Sequence, residues 1–309
     1  MSMVGDAGAI RVRAPATSAN LGPGFDCLAV ALDLHNTVEV TAGEPGSGLR
    51  IEVQGEGRGS VACDASNLIM VAMERLAASQ GLALPRDLHL RLENRIPLGR
   101  GLGSSAAAIA GGLLAAALLM DVPALPGALL PVALGLESHP DNVVAALWGG
   151  FTIGVLDGPE AVVRRFDPPQ GLLAVLLVPD AFVSTALSRG VLQAQVGRGD
   201  AVYNASRCAL LVADLLQGRF DGLRVAMQDR LHQPQRAASF PYLDAAIDAA
   251  LMAGAHGAAL SGSGSSVLAL APPHAAPAVA AALRAVAARY ELRASTPVYA
   301  LDARGTARI

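Results

Sequence analysis

The sequence contains no lysine, so all 23 of its cationic side chains are arginine. That absence excludes mechanisms that need an ammonium group, and it excludes the Walker-type phosphate loop, which requires Gly-Lys-Ser/Thr. Arginine offers a planar fork of donors suited to carboxylates and phosphates but is a very poor proton acceptor, so a general base has to come from elsewhere. Cysteine is nearly as scarce. Cys27, Cys63 and Cys208 are odd in number and lack C-x-x-C spacing, which argues against a disulfide framework or a zinc site and for three small buried thiols. Aromatics make up 4% of the chain against 52% hydrophobic residues, so the core of these 309 residues is built mainly from Ala, Leu and Val, in one large or two medium domains. A net charge of −3 gives no broad basic field; nucleic acid is not an expected partner and small substrates are.

Long apolar runs are also missing. Ala106 to Met120 is 15 uncharged, mostly apolar residues, whereas a membrane span needs about 20. The run ends in Asp121, Pro123, Pro126 and Pro131, which break a helix, so a buried helix is expected and a membrane partner is not. The opening "MSMVGDAGAIRVRAP" lacks the apolar run of a signal peptide, and a cytoplasmic location is the expectation. Neither a repeat with a period of about 20 to 50 residues nor a low-complexity linker is present.

The first hundred residues alternate with a period of two. "IRVRAPA" predicts a short strand, "TVEVTAG" and "LRIEVQG" a hairpin or meander, and "DLHLRLENRIP" a further strand. Between them "SNLIMVAMERLAASQGL" has helical spacing, with Ser66 as its cap and Gly81 as its stop. A helix follows the glycines after Pro97, then a second ending near Glu137, then a short one opened by Pro140 and closed by Gly149-Gly150. The second half alternates again: "GLLAVLLVP" is a buried strand, "NASRCALLVADLLQG", "GLRVAMQDRLHQP" and "PYLDAAIDAALMAG" are helices, and "GAALSGSGSSVLALA" is strand, turn and strand. A last helix after Pro277 precedes a strand at "TPVYAL". The class is α+β. The polar, proline-marked "DGPEAVVRRFDPP" sets a seam, giving domains 1–160 and 161–309.

Three Gly/Ser-rich turns carry the chemistry. In "RIPLGRGLGSSAAAIAGG", Gly99, Gly101 and Gly103 precede Ser104-Ser105 at a helix start. Glycine lets backbone N–H groups approach an anion, and a helix N-terminus adds unpaired donors with about half a positive charge. A dinucleotide fingerprint fits poorly, since Asp121, the acid at the right distance, ends a helix where the fingerprint needs a strand end. A glycine-lined packing turn remains the plain alternative. The other two turns are "PATSANLGPGFDCLAVAL" and "ALSGSGSSVLALA", and the three together suggest one shared site.

"PATSANLGPGFD", "IPLGRGLGSSAAA", "HPDNV" and "LSGSGSSVLAL" resemble, in order and spacing, the signature motifs of the GHMP small-molecule kinases, and "DAVYNASRCALLV" and "DRLHQPQR" extend the likeness through the C-terminal half. "PGFD" with "HPDN" is similar to the homoserine-phosphorylating branch. The resemblance implies a two-domain α+β fold, with an N-terminal domain like domain 2 of ribosomal protein S5 and a ferredoxin-like C-terminal domain. It implies ATP and Mg²⁺, with L-homoserine as acceptor and its phosphorylation as a step toward threonine. By the same resemblance Pro97, Leu98, Gly99, Arg100, Gly101, Leu102, Gly103, Ser104, Ser105, Ala106 and Ala107 cradle the phosphates, Asn67 lies near the nucleotide, and Ser105 and Glu137 hold the metal. A bidentate arginine suits the homoserine carboxylate, and Arg189 and Arg236 match; Asp26 with Asn20 suits the ammonium. His139, Asp141 and Asn142 surround the amino-acid end and the reacting hydroxyl, with Asp141, Asn142 and Arg189 as catalytic residues.

Three matters stay open. Asp141 is the available carboxylate but can serve as base or only as a substrate ligand, since a dissociative phosphoryl transfer tolerates weak base assistance. A mevalonate-type acceptor is the alternative within the class, and a nucleotide-binding regulator the alternative outside it. The former leaves Asp26 without an ammonium to bind, and the latter leaves Ser105, Glu137 and Asp141 without a task. The glycine-rich "QVGRGD" hints at a mobile lid beside Arg189, and a homodimer is the assembly carried as an expectation.

Overall fold

The computed structural model describes residues 9–158, 160–182 and 185–309. Residues 1–8, on which the reading of the N-terminus partly rests, lie outside them. The first sheet starts with β1 (Ile10–Asn20) and β2 (Gly24–Ala42), an antiparallel hairpin whose turn is the "NLGPG" of the first glycine-rich stretch. That stretch is therefore strand, turn and strand. β3 (Leu49–Gly55) does not pair with β2, as the expected hairpin required; it runs parallel to β4 (Leu88–Asn94), which inserts between them. The crossover between β3 and β4 is helix α1 (Leu68–Ser79). Its N-cap is Asn67 rather than Ser66: the Asn67 side chain accepts from Ile69 N at 3.0 Å, and Ser66 instead turns back to Asp64.

Helix α2 (Ser104–Met120) follows the glycine loop and is apolar all round, as a helix sandwiched between other elements must be. Its small residues let it sit close to α1: a Cβ at Gly112 would run into the Ile69 carbonyl. α3 (Pro126–Leu134) and α4 (Pro140–Trp148) complete this layer, and Gly149 and Gly150, at φ of 67° and 78°, turn the chain into β5 (Phe151–Asp157). No helix among the described residues is long and apolar enough to cross a membrane.

The expected seam at residue 160 falls within a hairpin. β6 (Glu160–Phe166) pairs antiparallel with β5, so the first sheet continues to Phe166 before the chain leaves it. β7 (Leu173–Pro179) then opens the second sheet, ordered β10-β7-β9-β8 with β11 also on β7. The elements between are α5 (Thr185–Gly190), α6 (Arg198–Gln217), α7 (Leu223–Ala226), α8 (Gln233–Arg236), α9 (Leu243–Met252), β8 (Gly257–Leu260), β9 (Val267–Ala271), α10 (Ala276–Arg289), β10 (Ala294–Ser295) and β11 (Val298–Tyr299). "QVGRGD" is in part the first turn of α6, which starts at Arg198. The helix expected through "GLRVAMQDRLHQP" is broken into α7 and α8. Asp229 ends it by accepting from the backbone N–H groups of Leu231, His232 and Gln233, at 3.0, 2.9 and 2.7 Å.

The two sheets share one apolar layer. Leu28, Val30 and Phe151 of the first pack with Leu176, Leu268 and Leu270 of the second, and Leu211 and Leu223 close the cluster. The last strand, β12 (Ala307–Arg308), returns to pair with β1 of the first sheet. The cysteines are free, but less buried than expected: Cys63 is exposed, and Cys27 and Cys208 are half-buried.

Candidate active site

The three glycine-rich turns meet, and their backbones hold one another. Thr17 N donates to Leu102 O at 3.1 Å, Gly262 N to Ala19 O at 3.1 Å and Ser266 N to Arg100 O at 3.2 Å. Side chains complete the junction: the Ser18 and Ser261 hydroxyls lie 2.7 Å apart, Ser261 Oγ donates to Gly101 O at 2.6 Å, and Asn20 Nδ2 to Gly262 O at 2.9 Å. Gly99, Gly101 and Gly103 all sit at positive φ (62°, 74° and 68°). A Cβ at Gly101 would overlap the Ser261 carbonyl, and one at Gly103 the Thr17 hydroxyl, so the loop needs glycine for space as well as for conformation. Gly103 caps α2 with no side-chain hydrogen bond, leaving the helix's first N–H groups for a ligand.

Beneath this junction lies a cavity of about 450 Å³. It is lined by Gly99, Gly101, Gly103, Ser104 and Ser105 from the loop and by Asn20, Asp26, Asn67, Glu137, His139, Asp141, Asn142, Arg189 and Arg236 from elsewhere. Nearly every side chain expected to act is thus brought to one place. Pro97, Arg100, Leu102, Ala106 and Ala107 do not line it. Arg100 turns away to pair with Asp180, and Leu102, Ala106 and Ala107 are buried beneath the loop as its apolar support.

The acceptor end is a cluster of charges. Arg189 forms a two-pronged pair with Asp26, Nη1 to Oδ2 at 3.1 Å and Nη2 to Oδ1. Asp26 is held there by the hairpin: its own N–H donates to Asn20 Oδ1 at 3.0 Å, and both residues occupy the left-handed region, at φ of 57° and 70°. Arg236 is 2% exposed; Nε donates to Ser188 O at 3.3 Å and Nη1 to Gly262 O at 3.1 Å. Burial, then the neighbouring Arg189, pulls its pKa down to about 10.

Asp141 is also buried, in the first turn of α4, and burial raises its pKa to about 6 against the lowering effect of the Asn142 N–H. Its hydrogen bonds among the described residues, from Asn142 N at 2.7 Å and Nδ2 at 3.2 Å, both fall on Oδ1. Asn142 is a cross-link: its Oδ1 accepts from the Thr17 hydroxyl at 2.7 Å while its Nδ2 serves Asp141. His139 turns its Nδ1 toward Glu137 Oε1, at 3.3 Å. Asn67 lines the cavity with its amide already used, by the cap and by a 2.7 Å bond to Ala62 O. Among the residues of the site that have no place in the sequence reading are Asn36, whose Oδ1 accepts from Arg95 N and Ile96 N at 2.8 and 2.9 Å, and the apolar Val61, Leu68, Ile69, Leu92 and Phe182. Strand alternation marks Leu92 as core and says nothing of a cavity.

This geometry has close counterparts among known proteins. The models of the GHMP kinases N terminal domain and GHMP kinases C terminal match residues 67–150 and 211–289. The homoserine kinase of Desulfitobacterium hafniense is 43% identical over 97% of this chain and 100% of its own length. The chain belongs to the homoserine kinase family. The homoserine kinase of Symbiobacterium thermophilum is 50% identical over 75% of this chain and 74% of its own. The crystal structure of homoserine kinase from Cytophaga hutchinsonii superposes with a TM-score of 0.89 at 30% identity, covering all of both chains. This family member is an ATP-dependent phosphotransferase with the two-domain GHMP kinase fold.

Proposed function

We propose that the cavity transfers the γ-phosphoryl group of ATP to the side-chain hydroxyl of L-homoserine, giving O-phospho-L-homoserine, with the roles assigned as follows. The observation that carries the reading is the juxtaposition, in one cavity, of the uncapped α2 N-terminus with Asp26, Arg189 and Arg236. The first suits phosphates; the second set suits a zwitterion. Asp26, positioned by Asn20, takes the ammonium, and Arg189 and Arg236 take the carboxylate. A mevalonate-type acceptor would offer the half-buried Asp26 no ammonium to bind.

Asp141 Oδ2, which has no hydrogen bond among the described residues, receives the homoserine hydroxyl and aligns its oxygen on the γ-phosphorus. As the new P–O bond forms and the bond to the leaving ADP oxygen breaks, the hydroxyl proton passes to Asp141 or to the transferring phosphate. Charge stabilisation comes from the backbone N–H groups between Gly99 and Ala107 and the hydroxyls of Ser104 and Ser105. Ser105 and Glu137 offer the oxygen donors a hard divalent cation prefers, in a cavity open to phosphate and water, so they fit Mg²⁺. When bound, that ion neutralises phosphate charge. Val61, Leu68, Ile69, Leu92 and Leu98 give the cavity an apolar wall for adenine, where Asn36 has an amide N–H₂ to offer.

ADP release, coupled to a second enzyme and measured with homoserine, serine, threonine and mevalonate in turn, tests the reading. Turnover is expected to rise with homoserine well above the others; no rise with homoserine would sink it.

A further inference from the structure

"DRLHQPQR" brings Arg236 to the site, yet its histidine has no part in the reading above. His232 is fully buried, and both ring nitrogens are engaged. Nε2 lies 2.8 Å from the carbonyl oxygen of Gly22. A carbonyl only accepts, so Nε2 carries the proton. Nδ1 lies 3.1 Å from Nη1 of Arg236, which only donates, so Nδ1 presents its lone pair. The two partners fix one neutral tautomer between them. The ring also stacks on Phe25, with centroids 5.2 Å apart and planes 28° apart. Phe25 in turn stands 5.3 Å from the guanidinium of Arg189 and 5.6 Å from that of Arg236.

The placement of this ring is built from both halves of the chain. Gly22 belongs to the β1–β2 turn, between Asn20 and Asp26, and no larger residue fits there because a Cβ would overlap the Met227 carbonyl. The backbone N–H of His232 is held by Asp229, and its carbonyl accepts from Arg236 N at 3.0 Å. Arg236 therefore has three fixed acceptors, Ser188 O, Gly262 O and His232 Nδ1, and these occupy its Nε and Nη1. Nη2 stays outside that set.

The geometry points to His232 as a positioning residue: it holds the Arg236 guanidinium for the carboxylate of the amino-acid acceptor and ties its position to the turn that carries Asn20 and Asp26. This rests on the reading of Arg236 as a carboxylate ligand. Without Nδ1, a buried cationic N–H loses its acceptor and a long, flexible side chain loses a lateral restraint. The effect belongs to acceptor binding, because the ring's hydrogen bonds and stacking go to Gly22, Arg236 and Phe25, which lie in neither the phosphate loop nor the first turn of α4.

The test is a pair of single variants, their double variant and one spectrum. His232→Leu should raise KM for homoserine by about ten- to a hundredfold, with KM for ATP and kcat changing far less. His232→Asn, whose Oδ1 can replace Nδ1 as acceptor, should recover much of the loss. In an Arg236→Gln background, His232→Leu should add little. Equal losses in kcat and both KM values, or an undiminished effect in that background, would overturn the proposal and make His232 a structural staple. If Arg236→Gln itself leaves the homoserine KM unchanged, the carboxylate reading fails first, and the two failures are thereby told apart. Ring ¹⁵N shifts of the histidines in the unmodified protein do not depend on any variant folding. One buried histidine with Nε2 protonated, whose Nδ1 resonance moves on adding homoserine, supports the proposal; protonation on Nδ1 overturns it.

Discussion

The two ends of the cavity are made of different material. The phosphate end is backbone: three glycines at positive φ, carbonyls and amides from three turns bonded to one another, and a helix N-terminus. The acceptor end is side chains: Asp26, Arg189, Arg236 and Asp141, each held by another residue. Backbone cannot be altered by substitution except through its shape, whereas a side chain can be removed with its neighbours in place. Damage at the first end should therefore strike folding and both substrates, and damage at the second should strike one substrate.

The largest effect is expected at Gly101. Alanine there meets both an unfavourable φ of 74° and the Ser261 carbonyl, so Gly101→Ala should destabilise the fold by at least about 2 kcal/mol. A loop displaced by even an ångström should also lower kcat by about a hundredfold or more. Thermal melts and steady-state kinetics together check this; a variant with unchanged melting and an intact KM for ATP would show that the loop is not wedged as described.

Removing one member of the charge pair comes next. Asp26→Asn and Arg189→Gln should each lower kcat/KM for homoserine by about ten- to a hundredfold, the worth of a charge-assisted hydrogen bond, and leave KM for ATP nearly unchanged. Half-ligands extend the comparison. 3-Aminopropanol keeps the ammonium and loses the carboxylate, and 4-hydroxybutyrate the reverse. Each should bind nearly as poorly as propanol, because the Asp26–Arg189 pair must be opened to admit either charge and only the zwitterion replaces both halves. Additive losses from the two groups would contradict that.

The contrast also explains what was legible in the sequence. Glycine and serine clusters advertise themselves, because a backbone site needs particular residues at particular steps, and so the three turns and their shared cavity could be read from "GRGLGSS", "NLGPGF" and "SGSGSS". Pairing between distant strands could not. Alternation marks β3 and β4 as strands without saying that they run parallel with β2 outside them, nor that Glu160–Phe166 belongs to the first sheet. Helical spacing in "GLRVAMQDRLHQP" was overridden by Asp229, whose carboxylate offers the backbone an alternative to the helix. Asn67 reads as a nucleotide neighbour and does line the cavity, but its amide is committed to the α1 cap and Ala62. Asn142 likewise stands where expected and works as a cross-link to Thr17.

A smaller effect, opposite in sign for stability and activity, is expected at Asp141. Burial raises its pKa from the ordinary 3.8 to about 6, so the folded state holds this proton more tightly than the unfolded chain. The associated stability is fully present below about pH 4 and is lost as pH rises through about 6, an interval corresponding to at most about 3 kcal/mol. Asp141→Asn keeps an Oδ1 for the Asn142 N–H and has no charge to bury. It should melt higher than the parent at pH 8, with the gain vanishing near pH 4, while homoserine binding falls at least as much as kcat. In the parent enzyme kcat/KM for homoserine should drop as pH falls through about 6. An unchanged KM with kcat lower by several orders would instead make Asp141 a base and little else.

The smallest effect is expected where a cation stands in the phosphate loop itself. Arg100 lies between Gly99 and Gly101 and would be the natural replacement for the missing lysine, but its guanidinium pairs with Asp180 across the loop's outer side and does not line the cavity. That pair is partly exposed, and such pairs contribute about 1 kcal/mol or less. Arg100→Gln should therefore shift KM for ATP by less than about threefold, as a pair of that strength allows, and its effect should shrink in high salt. A tenfold rise in KM for ATP would mean that the guanidinium swings onto the phosphates, and the division between a backbone end and a side-chain end would no longer hold. If the small effect is found, the absence of lysine from this chain has a physical sense: a loop that grips phosphate through N–H groups and a helix terminus has no need of a mobile cation, and the arginines are left to bind the carboxylate.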